Sequence, residues 1–175
     1  MKDKLWFKLL IGTVLLCLLG PLNINMPGYV PITLQSLGVI LVPMIFGWRA
    51  GVLSVALYLL LGAFGLPVFA DFKGGADVFA GPTAGFLFGF LPAAFLAGWY
   101  AEKVKVQYGR FFFIFIAAHV VLLVCGVLGL LFYGQAFSET WNTVVFLFPG
   151  MMIKSFFGAF LALAVKMKKD PIKAA

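Results

Sequence analysis

One lysine in an otherwise apolar stretch has the most chemistry to offer in this sequence. Lys154 follows Pro149 and Gly150 and precedes Lys166 by twelve positions, roughly 18 Å along a helix at the standard rise. That spacing places it well inside an apolar layer, about a third of the way in from the far side. An amino group at mid-helix costs on the order of 2.5–3.5 kcal/mol to insert into a bilayer. It can snorkel toward the surface, or it can face a watery cavity and meet an anion. No acidic residue lies in the apolar part of any span, so its counter-ion is either a loop carboxylate or a bound ligand. Pro149 and Gly150 are expected to bend or open the helix just before it.

Other reactive types offer less. His119 stands in an apolar run with no Cys, Asp or Glu beside it, and reads as a hydrogen-bonded packing histidine rather than a proton relay or ligand. Cys17 and Cys125 also lie in apolar runs and read as small packing residues, not as a disulfide or a metal site. There is no Gly-Lys-Ser or Gly-Lys-Thr phosphate loop, so the chain is not expected to hydrolyse ATP alone. With no nucleophile–His–acid set and no metal-spaced cluster, no enzyme, metal or cofactor is expected.

The elements that must hold Lys154 are apolar helices. Of 175 residues, 63% are hydrophobic and 11% charged, with a mean hydropathy of +1.09. A soluble domain carries about a quarter charged residues, so this chain needs lipid as part of its solvent. Crossing a bilayer takes about 20 apolar residues. Six segments qualify or come close: about 5–22, 34–46, 50–64, 82–100, 110–133 and 144–165. The second is short, and only Gly47-Trp48-Arg49 separates it from the third, which predicts a tight helical hairpin. The expected fold is all-α, a polytopic membrane bundle of six transmembrane helices forming one integral membrane domain over residues 1–175. No sheet is needed. The lysines before the first run resemble the start of a signal peptide, but no small-x-small cleavage pattern follows, so the run is expected to stay as the first span.

Charge gives the orientation. With six spans, one side receives Lys2, Lys4, Lys8, Arg49, Lys103, Lys105, Arg110, Lys166, Lys168, Lys169 and Lys173; the other receives only Lys73. This bias predicts both termini in the cytoplasm of a bacterial (inner) membrane. The net charge of +7 is thus read as topology anchors, and no nucleic acid is expected as a partner. The opposite loops differ in character. The first, 23–33, is uncharged and holds Pro27, Gly28, Tyr29 and Pro31. The second, 65–81, holds Asp71, Lys73, Gly74, Gly75 and Asp77. A short third loop is expected to hold Glu139 and Trp141. Gly- and Pro-rich loops above a bundle are natural gates. In the fourth helix, Gly81, Gly85, Gly89, Ala93, Ala97 and Ala101 form a groove of small residues, with a shorter version at Gly158 and Ala162. Such stripes let backbones approach in lipid; packing within this chain is the first expectation, docking of another subunit the second.

Three segments carry a resemblance: Pro31-Ile-Thr-Leu-Gln35, Tyr58-Leu-Leu-Leu-Gly-Ala-Phe-Gly-Leu-Pro-Val-Phe69 and Gly81-Pro-Thr-Ala-Gly-Phe-Leu-Phe-Gly-Phe90. With the Arg49-Ala-Gly51 turn, their combination resembles the BioY biotin-transporter family, densely over residues 30–98 and more loosely elsewhere. The resemblance implies the substrate-binding (S) component of an energy-coupling-factor (ECF) transporter. Its ligand would be biotin or a similar small vitamin, and its partners a transmembrane coupling subunit and two ATPase subunits. Family members read Pro-Gly-Asp-x-x-Lys near the sixth helix, with the Asp and Lys at the ligand. Here Lys154 matches and Met151 stands in the Asp position; Phe86 stands where Tyr is usual. In the first helix, Gly12 is followed by Leu16 rather than a second small residue. The implied site gathers Lys154, Met151, Phe86, Tyr58, Thr33, Gln35, Asp71 and Asp77. Two other readings stay open: the same architecture for a different vitamin such as lipoate, and a ligand-free membrane scaffold.

Overall fold

The computed structural model describes residues 2–24 and 32–169. The gate residues Pro27, Gly28, Tyr29 and Pro31 lie outside the described residues, as does Lys173. Six α-helices appear among the described residues: α1 (Lys2–Leu19), α2 (Gln35–Phe46), α3 (Trp48–Ala63), α4 (Ala84–Lys103), α5 (Tyr108–Phe132) and α6 (Phe137–Lys169). The order and number of apolar helices follow the hydropathy.

Three details depart from the sequence reading. A minimal strand pair forms where no sheet was expected: β1 (Asn23–Ile24) runs antiparallel to β2 (Ile32–Thr33), with Asn23 opposite Thr33. Helix α6 begins at Phe137, so Glu139 and Trp141 stand in its first turns and not in a loop. The hydroxyls of Thr140 and Thr143 donate to the carbonyls of Ala136 and Glu139, one turn back, and so satisfy themselves within the helix. Helix α6 runs on through Pro149 to Lys169, so Pro149 and Gly150 do not open it.

By length and composition, α4, α5 and α6 are each long and apolar enough to cross a membrane. Helices α2 and α3 are shorter, with 12 and 16 residues. At the standard rise they reach about 18 and 24 Å, less than the roughly 30 Å hydrocarbon core. They sit where neighbours cover them. Helix α2 touches all five other helices, and Val39, Ile40 and Met44 have no exposed surface. The outer faces are apolar instead. Trp6, Phe7 and Leu18 of α1 and Phe156, Phe157 and Phe160 of α6 are all more than half exposed. A chain that buries Gln35 and Ser54 while presenting phenylalanines outward is built for lipid.

Both small-residue stripes serve packing within the chain. A Cβ on Gly85 would strike the Cys125 carbonyl and the Gly129 Cα, so α4 and α5 meet backbone to backbone. Ala93 and Ala97 are fully buried on the same helix, and Gly158 of α6 lies against the Phe115 ring. Gly12 faces Ser54 and Val42, which turns that side of α1 inward. The Ser54 hydroxyl completes this seam by donating to the Leu9 carbonyl of α1 at 3.0 Å.

Candidate functional site

Four elements bring polar side chains to one end of the bundle. Helix α2 starts directly after β2, which sets Thr33, Gln35 and Ser36 side by side at the loop end. Helix α6 carries Met151 and Lys154 three positions apart, hence on one face. The start of α4 supplies Thr83, Phe86 and Phe90, and α5 supplies His119 and Leu122. Between them lies a cavity of about 400 Å³, bounded above by Phe69, Asp71, Lys73 and Val78. This is the scale of a small-molecule pocket, with the usual mix of apolar walls and few polar groups.

Lys154 is held, but not saturated. Its Nζ donates to Ser36 Oγ at 2.6 Å and to the Thr33 carbonyl at 3.3 Å. An ammonium has three N–H donors, so one remains for a ligand. The side chain is carried up toward the first turn of α2, as snorkelling predicts, yet it ends in the cavity wall. Among the described residues no carboxylate lies within ion-pair distance of it. Asp71, the one acidic residue of the lining, is engaged elsewhere. It accepts from Asn23 Nδ2 at 2.8 Å and pairs with Lys73 at 3.7 Å. The first of these contacts ties the loop between α3 and α4 to β1. Asp71 and Phe72 take left-handed backbone, φ 58° and 56°, to make that corner.

Six of the eight residues anticipated from the sequence line this cavity: Lys154, Met151, Phe86, Thr33, Gln35 and Asp71. Two do not. Tyr58 is fully buried behind the wall, where its hydroxyl accepts from Gln35 Nε2 and donates to the Val68 carbonyl at 2.9 Å. Its ring meets Phe69 edge-on, centroids 5.5 Å apart. Tyr58 therefore positions two lining residues without touching the cavity. Asp77 is exposed in the 3-10 segment Ala76–Ala80 and points to no lining contact.

Sequence reasoning missed Ser36, Thr83, His119 and Gln135 as lining residues. Ser36 and Thr83 carry no signal beyond being polar near a helix start. His119 does make the hydrogen bond expected of a packing histidine, Nδ1 to the Phe115 carbonyl at 3.0 Å, but it also borders the cavity. Its Nε2 is buried without a partner, and so is Gln135 Oε1 near the mouth.

Comparison with known proteins gives the family and the fold. The model of the BioY family matches residues 2–170. A biotin transporter BioY of Thermotoga maritima is 48% identical over 106 residues, which cover 61% of this chain and 62% of that protein's length. A biotin transporter BioY of Rhizobium etli is 37% identical over 162 residues, covering 87% of this chain and 86% of that protein. The 2.1 Å crystal structure of the S-component for biotin from an ECF-type ABC transporter superposes with a TM-score of 0.84 at 26% identity, covering 94% of this chain and 92% of the other.

Proposed function

The chain belongs to the BioY family, and from that premise we propose that it is the biotin-binding membrane subunit of a vitamin-uptake transporter. The observation that carries the reading is the cavity itself: a lysine with a spare donor and no carboxylate partner, set in a largely apolar chamber of small-molecule size. Biotin joins a carboxylate tail to an apolar ring and a polar ureido head. Lys154 receives the carboxylate, Phe86 and Met151 form apolar wall, and Thr33, Gln35 and Asp71 border the entry. Tyr58 acts from behind, and Asp77 has no contact role.

The membrane arrangement follows from charge and shape. The proposed single membrane domain has six spans, with the short α2 and α3 tolerated because neighbours enclose them. Both termini face the cytoplasm of the bacterial cell membrane, and the cavity end faces outward. Capture from outside needs a loop gate, and release inward needs energy this chain does not generate. An ECF transmembrane coupling subunit and two ATPase subunits supply it. With the small-residue stripes buried inside the bundle, docking falls to the cytoplasmic end.

A second reading has one observation in its favour. Met151 is apolar where the family carries Asp, which suits a ligand with a less polar ring, such as lipoate. The test is to purify the chain from cells and identify the co-purified small molecule by mass spectrometry. Biotin is the expected result, lipoate would favour the second reading, and no ligand at any growth condition would leave only a scaffold.

A further inference from the structure

The cavity leaves the charged surface at the other end of the bundle unexplained. Helix α4 ends on an accessible row with four-residue spacing: Leu91, Phe95, Trp99 and Lys103. Residues four apart share a helix face, and each step moves about 6 Å along the axis. The row thus descends from a cation at the water end, through an indole, to apolar side chains. The start of α3 lies against it. A Cβ on Gly98 would strike the Trp48 Cα, so the two backbones meet there without a gap. Trp48 packs edge-on to Phe95 with centroids 5.6 Å apart, and Phe95 stacks on Trp99 at 6.3 Å. Three rings from two helices form one ledge, and a cation stands on each outer ring. Arg49 Cζ is 5.3 Å from the Trp48 ring centre, and Lys103 Nζ is 3.3 Å from that of Trp99. Both cations are exposed, and among the described residues neither has a carboxylate within ion-pair distance. Glu102, beside Lys103 in sequence, is turned to the Trp48 backbone N–H at 3.0 Å. A ring face attracts a cation's charge but engages few of its N–H groups, so most donors of the guanidinium and the ammonium stay available.

We propose that this ledge binds an anionic phospholipid of the leaflet at the basic end, with its phosphate headgroup on Arg49 and Lys103 and an acyl chain along Phe95 and Leu91. The order of chemistry along the row is the order along such a lipid. An arginine fork and a lysine ammonium both bind phosphate oxygens. Tryptophan rings favour the headgroup level of a bilayer, which is where Trp48 and Trp99 stand relative to the two cations. Phe95 and Leu91 then continue into the apolar layer on the same exposed face. Basic groups at this level attract anionic lipids over zwitterionic ones. A soluble anion would use the two cations and leave the rings bare; a lipid uses both.

The experiment is native mass spectrometry of the whole chain in detergent, titrated with phosphatidylglycerol or with phosphatidylcholine of the same chain length. The proteins are wild type, Arg49→Gln with Lys103→Gln, and a control of equal charge loss, Lys4→Gln with Lys168→Gln. The control cations are exposed at the same end of the bundle, on α1 and α6. Wild type is expected to bind the first anionic lipid about ten- to thirtyfold more tightly than the zwitterionic one, from two surface cations at about fivefold each. The ledge pair should bring that ratio close to one, while the control keeps most of it. Glycerol phosphate, a headgroup without chains, should not displace the lipid at equal concentration. All four substituted residues are exposed, and the readout is a ratio between lipids on one protein, so a loss of folded protein does not imitate it. A ledge pair that kept the wild-type ratio would overturn the proposal. A control pair that lost as much would do the same, since the preference would then belong to charge spread over the whole basic end. Displacement by glycerol phosphate would also overturn it, because the rings would then have no part in binding.

Discussion

The two ends of this bundle handle polar groups in opposite ways. At the basic end the protein closes its own turns. Gly47 alone joins α2 to α3, with φ 94°, and the Trp48 N–H that begins α3 donates to Glu102 Oε1 of α4 at 3.0 Å. Arg49 lies over the Trp48 ring, and Lys103 Nζ sits 3.3 Å from the Trp99 ring centre. At the cavity end, the corresponding groups are left short: one Lys154 donor, His119 Nε2 and Gln135 Oε1. A polar group satisfied inside the protein adds to the stability of the fold, whereas one left bare subtracts from it until a ligand arrives. The difference matches the proposed function: the end that looks less finished is the end assigned to binding.

That contrast can be broken most sharply by topology. Cysteines at Lys73 and at Lys105 should give an all-or-none difference in whole cells, with an impermeant maleimide labelling the first only; the reverse pattern would turn the molecule over. Next in size, Lys154→Met should weaken biotin binding about ten- to a hundredfold, the loss of one charge-assisted hydrogen bond. The thermal stability of the ligand-free protein should not fall, since a buried cation is removed. Equal affinity in a calorimetric titration would make the lysine structural. Gly47→Val should do the opposite at the other end. It forces a side chain into glycine backbone territory, costing about 1–3 kcal/mol of stability, seen as a lower unfolding temperature with an unchanged affinity for biotin. The smallest effect is expected from Asp71→Ala. Losing the contact to Asn23 should speed biotin dissociation about two- to tenfold in a stopped-flow chase, with little change in stability. An unaltered off-rate would remove the loop contact from the binding cycle.

Much of this is legible in the sequence, for physical reasons that also explain the misses. Apolar runs fix where helices cross lipid, so six helices and the α2–α3 hairpin follow from hydropathy. Hydropathy does not see helix continued by polar residues, and so it places the first turns of α6 in a loop, although Thr140 and Thr143 bond backbone carbonyls one turn back there. Lys154 was legible because a lone cation in an apolar run is costly and needs a reason. Its partner Ser36 was not, since a serine near a helix start is common and its contact spans 118 positions of sequence. Tyr58 shows the limit of resemblance: a residue can belong to a site by position in a motif and still act only by holding Gln35 and the Val68 carbonyl in place. His119 shows the limit of type. Nothing in the sequence tells a histidine packed wholly in the core from one that also lines a cavity.

The placement of α2 has a consequence for how the molecule is made. This helix is the shortest of the six and packs against all five others. It leaves the ribosome second, before most of its neighbours exist. Twelve residues are too few to rest comfortably across a bilayer alone, and its Gln35 waits for Tyr58 while its Ser36 waits for Lys154. Its contacts with α6, Ser36 to Lys154 among them, can form only once α6 has been made. A nascent chain halted before α6 would present an incompletely seated α2 to the membrane's quality-control machinery. The last polar contact of α2 and the last wall of the cavity thus form together, when α6 packs.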